Sequence, residues 1–233
     1  MKKHFFSFLY LFIIGSAVYG QDYAEMGKHQ VVLKFAPLAM FDLDNTYSVA
    51  VEIPFSNPKF SVQQEIGYGH AATNIWYLYD DYKPRKYNIR AKSQFRYYYF
   101  EGRMVRGYLA GEYFFKRALK TEKEWIGQDC NLNGACNFLK QQDIKYAKVV
   151  HAFHPKLGWQ FYFGSRFSLD VYTGFGFRFV DHKVLTKNVL ENPRPFTGSI
   201  DWWGSWEPGT QFYPSFSGGF QVGIRLGKVK TVE

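Results

Sequence analysis

The sequence predicts an all-β fold, an antiparallel barrel whose strands carry one apolar and one polar face. Three observations lead there. From Phe167 every second residue (Phe167, Leu169, Val171, Thr173, Phe175, Phe177, Phe179) is apolar but for one threonine, and the residues between are Ser168, Asp170, Tyr172, Gly174, Gly176 and Arg178. The segment Phe216–Leu226 repeats the pattern: Phe216, Gly218, Phe220, Val222, Ile224 and Leu226 stand against Ser217, Gly219, Gln221, Gly223 and Arg225. Period two belongs to β-strands, because successive side chains point to opposite faces. Third, both segments are close to the ~9–11 residues that cross a bilayer as a tilted strand.

The first element is a secretory signal peptide over residues 1–20. Lys2 and Lys3 form its basic start, Phe5–Ile14 its apolar core, and Val18 and Gly20 the small residues before cleavage at Gln21. That core is too short for a spanning helix. Residues 21–233 then form one domain, and loss of Lys2 and Lys3 lowers the formal charge from +9 to +7. Beyond the signal no apolar run approaches the ~18 residues of a transmembrane helix.

The strands follow in order: Gln30–Met40, Thr46–Pro54, Lys59–His70, Tyr87–Phe100, Val105–Arg117, Lys145–Phe163, Phe167–Val180 and Gln211–Gly227. The connections Phe55–Pro58, Glu101–Met104 and Gly164–Arg166 are short, whereas Ala71–Lys86, Ala118–Ile144 and Asp181–Thr210 are long. Phe41–Asn45 is the short exception on the long side. Eight strands with this asymmetry describe an eight-stranded antiparallel up-and-down transmembrane β-barrel, OmpA/OmpX-like, with short periplasmic turns and long external loops. A soluble barrel alternates too, with its apolar face turned inward. Its solvated face would be dense in Lys and Glu. Here the polar face carries Gly67, Gly69, Gly158, Gly174, Gly176, Gly219 and Gly223, the small residues that a crowded interior needs.

On this reading the lumen holds a charge network: Glu52, Glu65, Arg90, Arg96, Glu112, Asp170, Arg178 and Arg225, with Lys34, Lys92 and Lys156. Enclosed charges persist only when paired and hydrogen-bonded. The expected result is an ion-paired plug in which Arg96 contacts Glu52, Glu65, Glu112 or Asp170. The alternative is a narrow anion-preferring pore. Lipid-facing positions are Val49, Val51, Ile53, Phe60, Val62, Ile66, Tyr68, Ile89, Phe95, Tyr97, Tyr99, Leu157, Trp159, Phe161 and Phe163. The run Tyr97–Phe100 is expected in the periplasmic aromatic girdle. Trp76, Tyr77, Tyr79, Tyr82, Trp125, Trp202, Trp203 and Trp206 collect in the loops, where they pack or hold an extracellular ligand.

Cys130 and Cys136, the only cysteines, are expected to form a disulfide in an oxidising compartment. Free thiols are the alternative, and zinc lacks nearby histidine partners. No catalytic, cofactor or metal site is evident. His70, His151 and His182 fall toward the outer strand ends with no His-x-Ser pair or Gly-x-Ser-x-Gly elbow beside them. The positive charge is spread without a basic cluster, which argues against nucleic acid and suits anionic lipid headgroups.

Val31-Val32-Leu33-Lys34-Phe35-Ala36-Pro37 with Tyr47-Ser48-Val49-Ala50-Val51-Glu52 resembles the opening hairpin of domain-of-unknown-function family 3575. Arg96–Phe100 followed by Gly107-Tyr108-Leu109-Ala110-Gly111-Glu112-Tyr113 is similar to it as well. The resemblance implies a small outer-membrane barrel and carries over no catalytic residue. The ending Gly219–Leu226 resembles the insertion signal read by the barrel-assembly machinery, without a terminal aromatic. The expected role is structural or surface-interacting in the cell outer membrane. The alternatives are an outer-membrane enzyme acting on lipid or peptide and a minor channel.

Overall fold

The computed structural model describes residues 29–42, 45–73, 85–130, 136–186 and 209–227. The expected signal peptide and the aromatic residues at 76–82 and 202–206 lie outside the described residues.

The fold is all-β and antiparallel. The strands are β1 (Val31–Phe35), β2 (Tyr47–Pro54), β3 (Phe60–His70), β4 (Arg85–Glu101), β5 (Val105–Cys130), β6 (Cys136–Phe163), β7 (Phe167–Val184) and β8 (Gly209–Leu226). Each pairs with the next, and β8 returns to pair with β1, so the sheet closes into a ring. Closure leaves no unpaired edge along the paired segments. Among the described residues no helix is long and apolar enough to cross a membrane, which says nothing of a crossing built from strands.

Alternation sorts the side chains as the sequence implies. In β3 the outward series is Phe60, Val62, Gln64, Ile66 and Tyr68, and the buried inward series is Ser61, Gln63, Glu65, Gly67 and Gly69. The polarity is inverted relative to an ordinary globule. Phe175 and Phe216 are 60% and 73% exposed, whereas Glu65, Arg96, Asp170 and Arg225 are 0% exposed.

Strand bounds differ from expectation in several places; β7, for one, runs on to Val184 instead of ending at Val180. Strand one stops at Phe35 rather than Met40, because Pro37 offers no N–H and Pro37–Met40 tightens into a 3-10 turn. Thr46 N–H still donates to Ala39 O at 2.8 Å, so the turn stays tied to the start of β2. The larger correction concerns Ala118–Ile144, read as a loop. β5 and β6 continue through it as a hairpin paired from Val105↔Phe161 out to Cys130↔Cys136. Lys120–Glu124 is polar on both faces, so no period-two apolar signal marks it. Past the Arg85↔Thr121 and Tyr146↔Val184 pairs this hairpin runs on beyond the strands beside it.

Candidate functional site

The interior is filled by polar side chains in two layers. The first lies toward the short turns. Lys34 donates to Asp170 Oδ2 at 2.6 Å and lies 2.5 Å from Glu52 Oε2. Arg96 reaches the same two carboxylates, at 2.6 Å for Asp170 and 3.2 Å for Glu52. Tyr108 donates to Asp170 Oδ1 at 2.6 Å and carries the Arg96 guanidinium 4.3 Å from its ring centroid. Ser61 donates to Glu52 at 2.7 Å, and the Tyr98 hydroxyl meets Glu52 and Gln160. Two cations therefore face two carboxylates, and the hydroxyls of Ser61, Tyr98 and Tyr108 complete the donors around them. Mutual pairing of this kind is what lets charges stay enclosed. Gly158 makes room for it: a Cβ there would fall 2.4 Å from the Tyr108 ring.

The second layer lies toward the long connections. Arg90 donates to Glu65 Oε1 through Nε at 3.2 Å and also through Nη2. Gln221 donates to Glu65 Oε2 at 2.8 Å, and Lys92 stands 3.9 Å from Glu65. Glu112 accepts from Lys156 at 2.5 Å and from Gln94 at 2.8 Å. His154 Nδ1 is 3.3 Å from Glu112 Oε1, and its Nε2 is 2.9 Å from Ser215 Oγ. Here Arg90, Lys92, Lys156 and Arg178 outnumber Glu65 and Glu112. Ser215, Ser217, Gly174 and Arg178 are also only half-buried, so this layer is the more open and the more basic.

The structure brings Glu52, Arg96 and Asp170 into the first cluster, and Glu65, Arg90 and Glu112 into the second. Arg96 meets Asp170 and Glu52. Its register partner is Ala110, and Glu112 sits opposite Gln94. Arg225 is fully buried at the short-turn end, donates to Gly164 O at 2.5 Å and stacks 4.9 Å from the Tyr162 ring. Arg178 departs from the expected network. It faces inward but makes no ion pair among the described residues, and its guanidinium lies 5.4 Å from the Tyr213 ring centroid.

Tyr98 corrects the girdle assignment. It is 1% exposed and packs edge-on against Tyr108, while Tyr97 and Tyr99 face outward. A register shift between Tyr98 and Phe100 follows it. Cys136 is disulfide-bonded and pairs in register with Cys130, the only other cysteine. The pair closes the tip of the β5–β6 hairpin instead of an irregular loop.

The histidines do not converge as a group. His70 accepts from Ala72 N–H beside a 3-10 turn, His151 faces outward against Tyr113 at 2.7 Å, and His182 is buried inside β7. Among the described residues no cluster of His, Cys, Asp and Glu could hold a metal ion. Sequence reading missed His154. The signal was the inward register that His154 shares with Lys156, and the side chain is only 4% exposed.

No protein-family model, curated protein or solved structure matches this chain.

Proposed function

We propose that the chain is an eight-stranded up-and-down transmembrane β-barrel of the bacterial outer membrane, OmpA/OmpX-like, with a structural and surface-presenting role. One observation carries the reading: large apolar side chains are exposed on the outer wall, while charged side chains are enclosed in its interior. Water would reverse that order, and lipid demands it. The apolar wall has identifiable ends. On β7 it runs from Phe167 to Phe179, after which Asp181 and Lys183 pair at 2.6 Å. On β5 the outward Leu109, Tyr113 and Phe115 give way to exposed Arg117.

Several expectations join this proposal. Residues 1–20 act as the export signal, membrane lipids cover the wall, and the barrel-assembly machinery reads the C-terminal strand. The resemblance to family 3575 points the same way. The β5–β6 hairpin, capped by its disulfide and bearing exposed Trp125, Phe138 and Leu139, is the surface presented to an extracellular ligand. The paired charges of the short-turn layer favour a closed interior over a channel.

The test is physical. Full-length protein folded in detergent should migrate faster on gels before heating than after, and should aggregate when detergent is withdrawn. Reconstituted in planar bilayers, it should pass no steady current. A monodisperse, detergent-free monomer would turn the faces around and overturn the membrane reading. A stable anion current would overturn the closed interior.

A further inference from the structure

Four adjacent strands align a carboxylate, a base and a nucleophile in the long-connection layer. Glu112 on β5 is the register partner of His154 on β6. On β7 the neighbouring inward residue is Gly176, and its register partner on β8 is Ser215. Gly176 is the aperture between them. A Cβ there would lie 1.8 Å from Phe153 O and 3.0 Å from His154 Cα, so no other residue fits. With no side chain on β7 in the way, the imidazole reaches across it to β8. Its Nε2 stands 2.9 Å from Ser215 Oγ, and its Nδ1 stands 3.3 Å from Glu112 Oε1, at an angle short of an aligned hydrogen bond. Such contacts tighten when a site is engaged.

We propose that Ser215, His154 and Glu112 form a serine acyl-transfer centre inside the ring, in its half-buried layer, fitted to negatively charged carboxylic esters. This goes beyond the structural role proposed above, which an inert interior would serve equally well. The accessible member is the right one: Ser215 is half-buried, whereas His154 and Glu112 are enclosed. The substrate class follows from the surroundings. Arg178, the next inward residue on β7 toward the opening, has a buried Nε without a hydrogen-bond partner. Lys116, in the same half, is already paired with Asp42 at 3.3 Å, which leaves Arg178 to meet a substrate anion.

The chemistry balances without a co-reactant other than water. Ser215 Oγ attacks the ester carbonyl carbon as its proton passes to His154 Nε2. The Glu112 carboxylate faces Nδ1, fixes the tautomer with the proton on that nitrogen, and stabilises the imidazolium. The tetrahedral intermediate collapses, breaking the bond to the alkoxy group, which leaves with the proton from Nε2. Water then attacks the acyl-serine by the same proton path, releasing the carboxylic acid and restoring Ser215.

The test uses full-length protein folded in detergent and a fluorophosphonate probe, with the labelled peptide located by mass spectrometry. Folded protein should be labelled at Ser215, and heat-unfolded protein should not. Ser48→Ala, remote from the centre, should label as the parent does. Ser215→Ala should abolish labelling, and His154→Gln should slow it about 100-fold or more, both keeping the heat-dependent gel shift that reports folding. Absence of labelling in the folded parent, or equal labelling of Ser215→Ala, overturns the centre. So does an unchanged rate in His154→Gln. The folded-against-unfolded comparison needs no variant and stands even where a substitution prevents folding. For the substrate class, 4-nitrophenyl hemisuccinate should be hydrolysed at least about tenfold faster than 4-nitrophenyl acetate, the gain a single well-placed charge interaction gives. Equal rates overturn the anionic preference.

Discussion

Toward the short turns, Lys34 and Arg96 face Glu52 and Asp170, and every one of these groups is within 3.2 Å of an opposite charge. Toward the long connections, two carboxylates serve a larger number of cations, the small residues Ser215, Ser217 and Gly174 leave space, and Arg178 rests on a ring. The same residue types thus make two different interiors. In the first these four charges balance and are closed off, so the cluster's worth lies in completeness. Take one member away and the others keep their charge with no water to solvate it. The second tolerates imbalance because Gly174, Arg178, Ser215 and Ser217 are only half-buried, where solvent screens charge. Stability should therefore reside in the first layer and reactivity in the second.

The sharpest way to break this contrast is Asp170→Asn. Asp170 serves Lys34, Arg96 and Tyr108 at 2.6 Å each, and its neutralisation should cost about 3–5 kcal/mol of unfolding free energy. Arg178→Gln, in the second layer, should fall within about 0.5 kcal/mol of the parent. Urea titration of the detergent-folded protein, followed by tryptophan fluorescence, measures both. Similar losses would erase the distinction between the layers. Next in size, Tyr108→Phe removes one charge-assisted hydrogen bond at 0% exposure and should cost about 1.5–3 kcal/mol. Tyr213→Phe, on a half-buried ring, should cost less than about 1 kcal/mol by the same titration.

A smaller effect is expected from His182, which lies beyond the apolar band of β7. Burial, with Lys148 nearby, lowers its pKa to about 4 from an ordinary value of 6.5. Between those two pH values the unfolded chain binds a proton that the folded protein does not. Stability therefore declines as pH falls from 6.5 toward 4 and loses nothing above 6.5. His182→Gln should flatten that decline when urea midpoints at pH 7.5 and pH 5 are compared. An undiminished decline in the variant would assign it to other groups. Smallest of all, Cys136→Ser should leave the urea midpoint of the body unchanged, because the disulfide closes the hairpin tip away from both layers. A measurable shift would show that the hairpin and the ring unfold together.

The all-β fold and the inward or outward facing of each strand were legible because a strict two-residue period reports both at once. Inward charges such as Glu65, Arg96 and Asp170 stood out for the same reason. What the period could not report was partnership across strands. Arg96 sits beside Gln94 on β4 yet meets Asp170 on β7 and Glu52 on β2, contacts set by ring closure rather than by neighbouring register. His154 was passed over because its meaning depends on Gly176, a residue conspicuous only once the two strands beside it are known. The hairpin from Ala118 to Ile144 was hidden because its two faces are chemically alike.

The closing pair, β1 with β8, joins only Val31–Phe35 to Val222–Leu226. It is also the most distant pair in the chain, so its formation must wait until nearly everything between has been ordered, and loop-closure entropy makes it slow. Every other neighbour pair is a hairpin that can zip from its own connection. The ring therefore has a seam. Its sequence separation makes it the slowest contact to close, and an opening there would expose the ion-paired interior sideways to whatever surrounds the wall.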